Sequence, residues 1–109
     1  MYRMQPHSLH ALEEQQRKKF CLTCLQDLKD DGFPADPAST QELETLLSIS
    51  RQLEKLKLNS QRFQFRYFMA YYLLGPEFLE DPVMLNTLLK LEPEEEQLDF
   101  LELLIQANL

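Results

Sequence analysis

The most apolar stretch of the chain runs from Phe63 to Leu74 and reads FQFRYFMAYYLL, in which only Gln64 and Arg66 are polar. A surface helix carries one apolar stripe, whereas a helix that is apolar on all sides must be covered on most of them. The stretch is too short to cross a bilayer, which takes about 20 residues. We therefore predict a central core helix over residues 61–74, with the other helices packed around it.

The composition favours helices throughout. The chain has 109 residues, is rich in leucine, and contains two glycines and no tryptophan. Few Val, Ile and Thr residues are present to build strands. We predict an all-α fold, a compact bundle of about five helices around the central one. A chain of this length is near the usual size of one domain, so we expect a flexible leader over residues 1–7 and a single helical domain over 8–109.

Local signals place the helix ends. A glycine commonly closes a helix, a Ser-x-x-Glu sequence opens one as a capping box, and Asp-Pro supplies an N-cap followed by a first-turn proline. Gly32, Ser39, Ser60, Gly75-Pro76 and Asp81-Pro82 provide such signals. We predict a first helix from about Ser8 to Asp31, a second ending near Asn59, the central helix, a short fourth from Pro82, and a fifth from Glu94 almost to the C-terminus.

The predicted helices carry apolar residues at three-to-four spacing, as buried faces do. In the first helix this stripe contains Leu9, Leu12, Phe20, Cys24, Leu25 and Leu28. In the last helix Leu98, Leu101 and Ile105 line one side, and Phe100 and Leu104 widen the apolar face. A helix that only closes a core manages with a narrower stripe. The extra width predicts that part of this face meets a partner or a second copy of the chain.

The net charge of −7 is unevenly spread. Residues 76–109 carry nine acids and one lysine, which gives −8, whereas residues 1–75 carry nine acids and ten bases, which gives +1. This bias argues against general binding to nucleic acid or to an anionic membrane, because both are negatively charged. The start, MYRMQPHSLH, lacks the apolar centre of a signal peptide and no transmembrane run follows. We expect a cytoplasmic protein with reduced cysteines.

Four side chains near the start have the right atoms for a zinc site, namely His7, His10, Cys21 and Cys24. On one helix His10 and Cys21 would lie about 16 Å apart along the axis. A zinc ion about 2 Å from each ligand could not bridge that distance unless the helix began later than predicted. We therefore predict buried structural thiols, with no metal and no cofactor.

Enzymatic chemistry has little support in the sequence. A cysteine nucleophile needs an orienting partner and an oxyanion site, which are usually built on glycine-containing turns. Both glycines are predicted helix stops, and no phosphate-binding glycine motif is present. We predict that the protein is not an enzyme.

Basic residues alternate with aromatic ones around the start of the central helix. Arg51, Lys55, Lys57, Arg62 and Arg66 lie near Phe63, Phe65 and Tyr67 in the sequence. Such a pattern can bind single-stranded nucleic acid by stacking and phosphate contact. The alternative is that the aromatic rings belong to the core and the arginines pair with acids of the last helix. The overall charge favours this alternative, so we expect no nucleic-acid partner.

The features typical of an interaction surface are two tyrosines, two apolar residues and an acidic turn. Buried tyrosine hydroxyls need polar partners, so Tyr71 and Tyr72 predict a polar margin or groove on the central helix. With them we group Phe100 and Leu104, and the acidic first turn Glu94, Glu95 and Glu96, as candidate partner-binding residues. Alternatively, five helices could use all these apolar stripes in one core.

We therefore hypothesise a non-enzymatic helical interaction protein: an adaptor, a small subunit or a chaperone-like binder. Its expected partner is another protein, which presents a helical segment to an apolar groove or face, or a second copy of the chain, with no membrane involved. The alternative is an acidic inhibitor or nucleic-acid mimic that acts on a basic site of a target protein.

Overall fold

The computed structural model describes residues 6–58, 60–77, 81–92 and 94–109, with the side chains of the first helix described from residue 13 onward. Within these residues the protein is all-α, as predicted, with no strand. Five helices have both ends described, and residues 76 and 77 are also helical. The five are α1 (Pro6–Asp30), α2 (Thr40–Lys55), α3 (Gln61–Leu74), α4 (Pro82–Lys90) and α5 (Glu94–Ala107).

The chain divides into two compact units, Met1–Ile49 and Ser50–Leu109, and the division falls inside α2. The single-domain organisation and the leader over residues 1–7 stay predictions. Residues 1–5 of that leader lie outside the described part, and α1 already begins at Pro6 instead of Ser8.

In the first unit, the buried stripe of α1 is formed by Cys21, Cys24, Leu25 and Leu28. These positions follow i, i+3, i+4 and i+7, the spacing that places residues on one side of a helix. The stripe passes through Cys21, whereas the expected Phe20 is only half-buried. The predicted members Leu9 and Leu12 lie outside the described side chains.

The end of α1 is fixed by Gly32, which has a φ of 93°. Its amide donates to the Lys29 carbonyl at 3.0 Å, and the next amide, of Phe33, donates to the Leu28 carbonyl at 2.9 Å. This pair of bonds is the Schellman motif, which requires a left-handed residue and so favours glycine. The predicted glycine stop is confirmed.

The start of α2 forms one of the two hydrogen bonds of the predicted capping box. The Ser39 hydroxyl accepts from the Glu42 amide at 3.2 Å, as expected for an N-cap. The Glu42 carboxylate, however, accepts from the Asp36 amide at 3.2 Å, and the Ser39 amide donates to the Asp36 carbonyl at 3.0 Å. The acid thus ties the preceding loop to the helix.

The predicted end of α2 is wrong. The helix ends at Lys55 and not near Asn59, because Lys57 takes a left-handed φ of 62°. The Lys57 amide donates to the Glu54 carbonyl at 3.0 Å, and the Leu58 amide donates to the Leu53 carbonyl at 2.8 Å. This is a second Schellman motif, with lysine where glycine is usual. Burial of Leu53 and Leu58, the apolar pair of the motif, accompanies the turn.

The central stretch forms α3 with the predicted bounds. The Ser60 hydroxyl accepts from the Phe63 amide at 3.1 Å, and the Gly75 amide donates to the Tyr71 carbonyl at 2.8 Å. Phe63 and Phe68 are fully buried, Gln64, Tyr67 and Ala70 are also buried, and the other residues from Phe65 to Leu74 are half-buried. The prediction of a covered helix is confirmed. One polar group is covered too: Gln64 Oε1 accepts from the Ser50 hydroxyl at 2.7 Å.

Within the second unit, α3 packs against α5. Arg62 Nη1 lies 3.2 Å from Glu95 Oε1, and Arg66 Nη1 lies 3.1 Å from Glu102 Oε2. Because the paired residues follow the same order along both helices, α3 and α5 run in the same general direction. Parallel neighbours need a connection that returns along them, and α4 lies in that connection.

Asp81 opens α4, as predicted, because its Oδ1 accepts from the Val83 amide at 2.9 Å and from the Met84 amide at 3.3 Å. Pro82 occupies the first turn. At the other end, Gln97 Nε2 donates to the Leu88 carbonyl at 3.0 Å. This bond fixes the C-terminus of α4 beside the start of α5.

Candidate protein-binding surface

The inner stripe of α5 consists of Leu98, Leu101 and Ile105, all of them buried. Leu101 has no exposed surface at all. These residues recur at three and four positions and lie on the side of α5 that belongs to the core, as predicted. They anchor α5 in the core, but they have almost no exposed surface for a partner to contact.

The outer stripe of α5 consists of Phe100, Leu103 and Leu104. At 3.6 residues per turn, its centre lies roughly 140° round the helix from the centre of the inner stripe. Phe100 and Leu104 are half-buried, and Leu103 is 70% exposed. A helix with two apolar stripes carries more apolar surface than its own packing uses.

Leu103 was missed from the sequence. From the sequence we predict that Phe100 and Leu104 widen the buried stripe, and that prediction does not include the leucine between them. The signal was available, because positions 100, 103, 104 and 107 repeat the i, i+3, i+4, i+7 pattern with Ala107 as the last member. That pattern defines a second side of the helix and not a wider first side.

The outer stripe has an acidic edge. Glu96 lies one turn before Phe100, and Asp99 lies one turn before Leu103, so each acid is an i, i+4 neighbour of an apolar residue. Both acids are exposed. Among the described residues, neither lies in an ion pair. At the opposite edge of the stripe, the hydrogen bond from the Gln97 side chain to the Leu88 carbonyl places the end of α4 beside α5.

Two other acids of α5 are already paired with α3. Glu95 and its partner Arg62 are both largely exposed, whereas Glu102 and its partner Arg66 are each about 40% exposed. Glu102 Oε2 is shielded from water and has no donor in hydrogen-bond geometry among the described residues, so its contact with Arg66 is an ion pair at 3.1 Å. The prediction that the arginines pair with acids of the last helix is confirmed for Arg62 and Arg66.

The aromatic residues near those arginines belong mainly to the core. Phe63 and Tyr67 are buried and their rings stack with centroids 5.9 Å apart, while Phe65 is half-buried. Burial raises the pKa of Tyr67 to about 12. Rings packed in this way are not presented to bases, so the stacking arrangement needed for single-stranded nucleic acid is not formed by Phe63 and Tyr67.

Tyr71 and Tyr72 lie at the C-terminal end of α3 and are both half-buried. Their rings meet edge to face with centroids 5.4 Å apart. The acidic first turn, Glu94 to Glu96, lies at the other end of the α3–α5 pair, where Glu95 meets Arg62. Arg62 and Tyr71 are separated by about 14 Å of helix. The structure therefore does not bring all the predicted site residues together.

The two cysteines in the first unit are buried thiols. Burial, reinforced by the charges of Cys21 and Asp27, raises the pKa of the Cys24 thiol to about 12. A thiol with so high a pKa supplies almost no thiolate, the reactive form, at neutral pH. The histidines considered as zinc ligands, His7 and His10, lie outside the described side chains. Among the side chains that are described, no group of three or more His, Cys, Asp or Glu residues is placed to hold a metal ion.

None of the helices in the described ranges combines the length and the apolar character needed to span a membrane. No protein family, curated protein or solved structure matches this chain.

Proposed function

We propose that this chain is a non-enzymatic interaction protein, an adaptor, small subunit or chaperone-like binder, that holds another protein through the outer stripe of α5. The observation that carries the proposal is the second apolar stripe on a helix that is already anchored by its first. Phe100 and Leu104 keep part of their surface accessible, and Leu103 is 70% exposed. Burying such residues favours association by about 25 cal/mol per Å² of apolar area.

The proposal includes a cytoplasmic location and no catalytic role. Reduced, free cysteines are usual in the cytosol, where disulfides are rare. The raised pKa of Cys24 makes it a poor nucleophile at neutral pH. These features support a protein whose cysteines serve packing.

The test replaces one exposed apolar residue in the stripe and one outside it. Leu103→Ser changes the outer stripe, while Val83→Ser is a matched control, because Val83 is 72% exposed and lies on α4. A photo-reactive amino acid placed at position 100 in each background would report which protein contacts the stripe. We expect one saturable cross-linked partner, lost with Leu103→Ser, kept with Val83→Ser, and reproduced with the purified partner. Equal cross-linking in all three proteins would contradict the proposal.

A second candidate function is the acidic inhibitor or nucleic-acid mimic. It is supported by the carboxylates of Glu94, Glu96 and Asp99, which lie in no ion pair among the described residues. The salt dependence of binding distinguishes the two functions. Screening weakens contacts between exposed charges far more than it weakens the burial of apolar surface. Binding that survives 1 M NaCl, where the screening length is about 3 Å, favours the apolar stripe, and binding that disappears there favours the mimic.

A further inference from the structure

We infer that the segment held by the outer stripe is a basic amphipathic helix, with apolar residues against Phe100, Leu103 and Leu104 and with Lys or Arg facing Glu96 and Asp99. This inference rests on the proposed function and adds the chemistry of the partner. It comes from a juxtaposition: the exposed Leu103 of the apolar stripe lies on the same edge of α5 as Glu96 and Asp99, which have no ion-pair partner among the described residues.

The helical form follows from the shape of the stripe. Its residues lie along the axis of α5 in the i, i+3, i+4 pattern. Two helices pack by setting such rows of side chains into each other's grooves, and amphipathic ligands are anchored by the same spacing. From Glu96 to Ala107 the surface is about 17 Å long, which matches roughly three turns of a partner helix. So small a surface is typical of weak, transient binding.

The basic character follows from a difference among the acids of α5. Glu95 and Glu102 have arginine partners on α3, at 3.2 and 3.1 Å. Glu96 and Asp99, beside the outer stripe, have none among the described residues, and α5 itself contains no basic residue. A partner that covers Leu103 must approach both carboxylates. Positive side chains at its border gain charge complementarity there, whereas acidic ones are repelled.

The same difference argues against a second copy of this chain as the occupant. Pairing two outer stripes would bring together two surfaces that each carry Glu96 and Asp99 and no basic residue of α5, in molecules that each carry a net charge of −7. Like charges brought together at an interface oppose association. The observations therefore favour a basic partner over self-association.

The experiment uses the full chain and two synthetic helical peptides of about five turns. Both peptides carry leucines at i, i+3, i+4 and i+7; one has lysines at the flanking positions and the other has glutamates there. Binding is measured by fluorescence anisotropy at low and high salt. We expect the lysine peptide to bind at least about tenfold more tightly than the glutamate peptide.

Two variants and their controls locate the binding site. Leu103→Ser should weaken binding of the lysine peptide by roughly tenfold, and Val83→Ser should leave it unchanged. The double change Glu96→Gln with Asp99→Asn should weaken it by roughly threefold to tenfold, as expected for two exposed ion pairs. Glu13→Gln with Glu44→Gln removes two exposed carboxylates elsewhere and should have a much smaller effect.

The possible outcomes separate this inference from the proposed function. Equal binding of both peptides, lost with Leu103→Ser, would overturn the basic partner and leave the interaction surface standing. Equal weakening by both pairs of acid changes would show general charge attraction and overturn the inference. A failure of both peptides to bind would also overturn it. The proposed function is tested separately, by cross-linking at position 100. A dimer by light scattering that Leu103→Ser dissolves would replace the basic partner with a second copy.

Discussion

The two sides of α5 are similar in composition and differ in burial. The inner stripe has Leu98, Leu101 and Ile105, and all three are buried. The outer stripe has two leucines and a phenylalanine, and Leu103 is 70% exposed while Leu101 is fully covered. Hydrophobicity alone therefore does not decide which side of this helix faces the core. The difference shows that α5 carries apolar surface beyond what its packing uses, which is where we expect a partner.

The acids of α5 follow the same division. Glu95 and Glu102 pair with arginines of α3, whereas Glu96 and Asp99 border the outer stripe without a cation among the described residues. One side of the helix is satisfied within the protein in both apolar and charged contacts. On the other side Phe100 and Leu104 are half-buried, Leu103 is exposed, and the two acids have no cation partner among the described residues.

The largest effect is expected from the helix that supports the inner side. Phe68 on α3 is fully buried, so Phe68→Ala should leave a cavity and destabilise the protein by about 3–5 kcal/mol. Phe65→Ala on the same helix is the matched control and should cost clearly less, because Phe65 is only half-buried. Chemical denaturation followed by circular dichroism measures both. Similar losses for the two variants would mean that α3 has no preferred buried side.

The next prediction compares leucines on the two sides of α5 directly. Leu101→Ala should cost about 2–5 kcal/mol, and Leu103→Ala should stay within about 0.5 kcal/mol. Leu104 is half-buried, so replacing it by a polar residue should affect folding less than Leu101→Ala but weaken partner binding more. Thermal unfolding and peptide anisotropy give the two readouts. If Leu104 and Leu101 variants lose the same stability and binding is unchanged, the outer stripe is ordinary core.

The bounds of α3 could be predicted from the sequence because its ends are set by local groups. The Ser60 hydroxyl and the turn at Gly75 act on backbone atoms within a few residues of themselves. The end of α2 could not be predicted in this way. Lys57 takes a left-handed φ that lysine seldom adopts, so no residue type marks the stop. Burial of Leu58 in the turn accompanies it, and burial is a property of the folded chain that no single residue type signals.

The candidate surface was partly predictable for a related reason. The apolar pattern of α5 shows that two stripes exist, and the excess of acids is visible in the sequence. Which stripe is buried depends on how α5 is rotated against α3, and the pairs formed by Arg62 and Arg66 record that rotation. Sequence spacing gives the angles between residues on one helix, but it gives no angle between two helices.

Raising the pH should lower the free energy of unfolding through Tyr67, which lies on the buried side of α3. The pKa of Tyr67 is about 12 in the folded protein and 10 ordinarily, because burial disfavours the phenolate. Between these values the unfolded chain releases a proton that the folded protein keeps, so stability present below pH 10 falls as the pH rises to 12. The loss should be roughly 1–3 kcal/mol. Denaturation curves should show a shallower decline for Tyr67→Phe, and an unchanged slope would contradict the burial of this hydroxyl.

A gain of stability is expected at the end of α2. Lys57→Gly relieves a left-handed backbone and should stabilise the protein by about 0.5–1 kcal/mol, after allowing for the greater freedom of glycine in the unfolded chain. Lys57→Ala removes the charge and keeps the strain, so it should change little. The stabilised background also sharpens the comparison on α5, because Leu101→Ala is then more readily studied as a folded protein. Equal effects of Gly and Ala would assign the change to the charge.

The smallest effect concerns the acids on the two sides of α5. Glu102→Gln removes the partner of Arg66, and because both side chains are about 40% exposed the loss should be only about 0.2–1 kcal/mol. Asp99→Asn breaks no ion pair among the described residues and should leave the free energy of unfolding nearly unchanged. Urea denaturation at low and high NaCl separates them, since added salt screens the Arg66 pair and should shrink the Glu102→Gln loss. If Asp99→Asn proves the more costly of the two, Asp99 serves the fold, and the acidic edge of the outer stripe is not free to meet a basic partner.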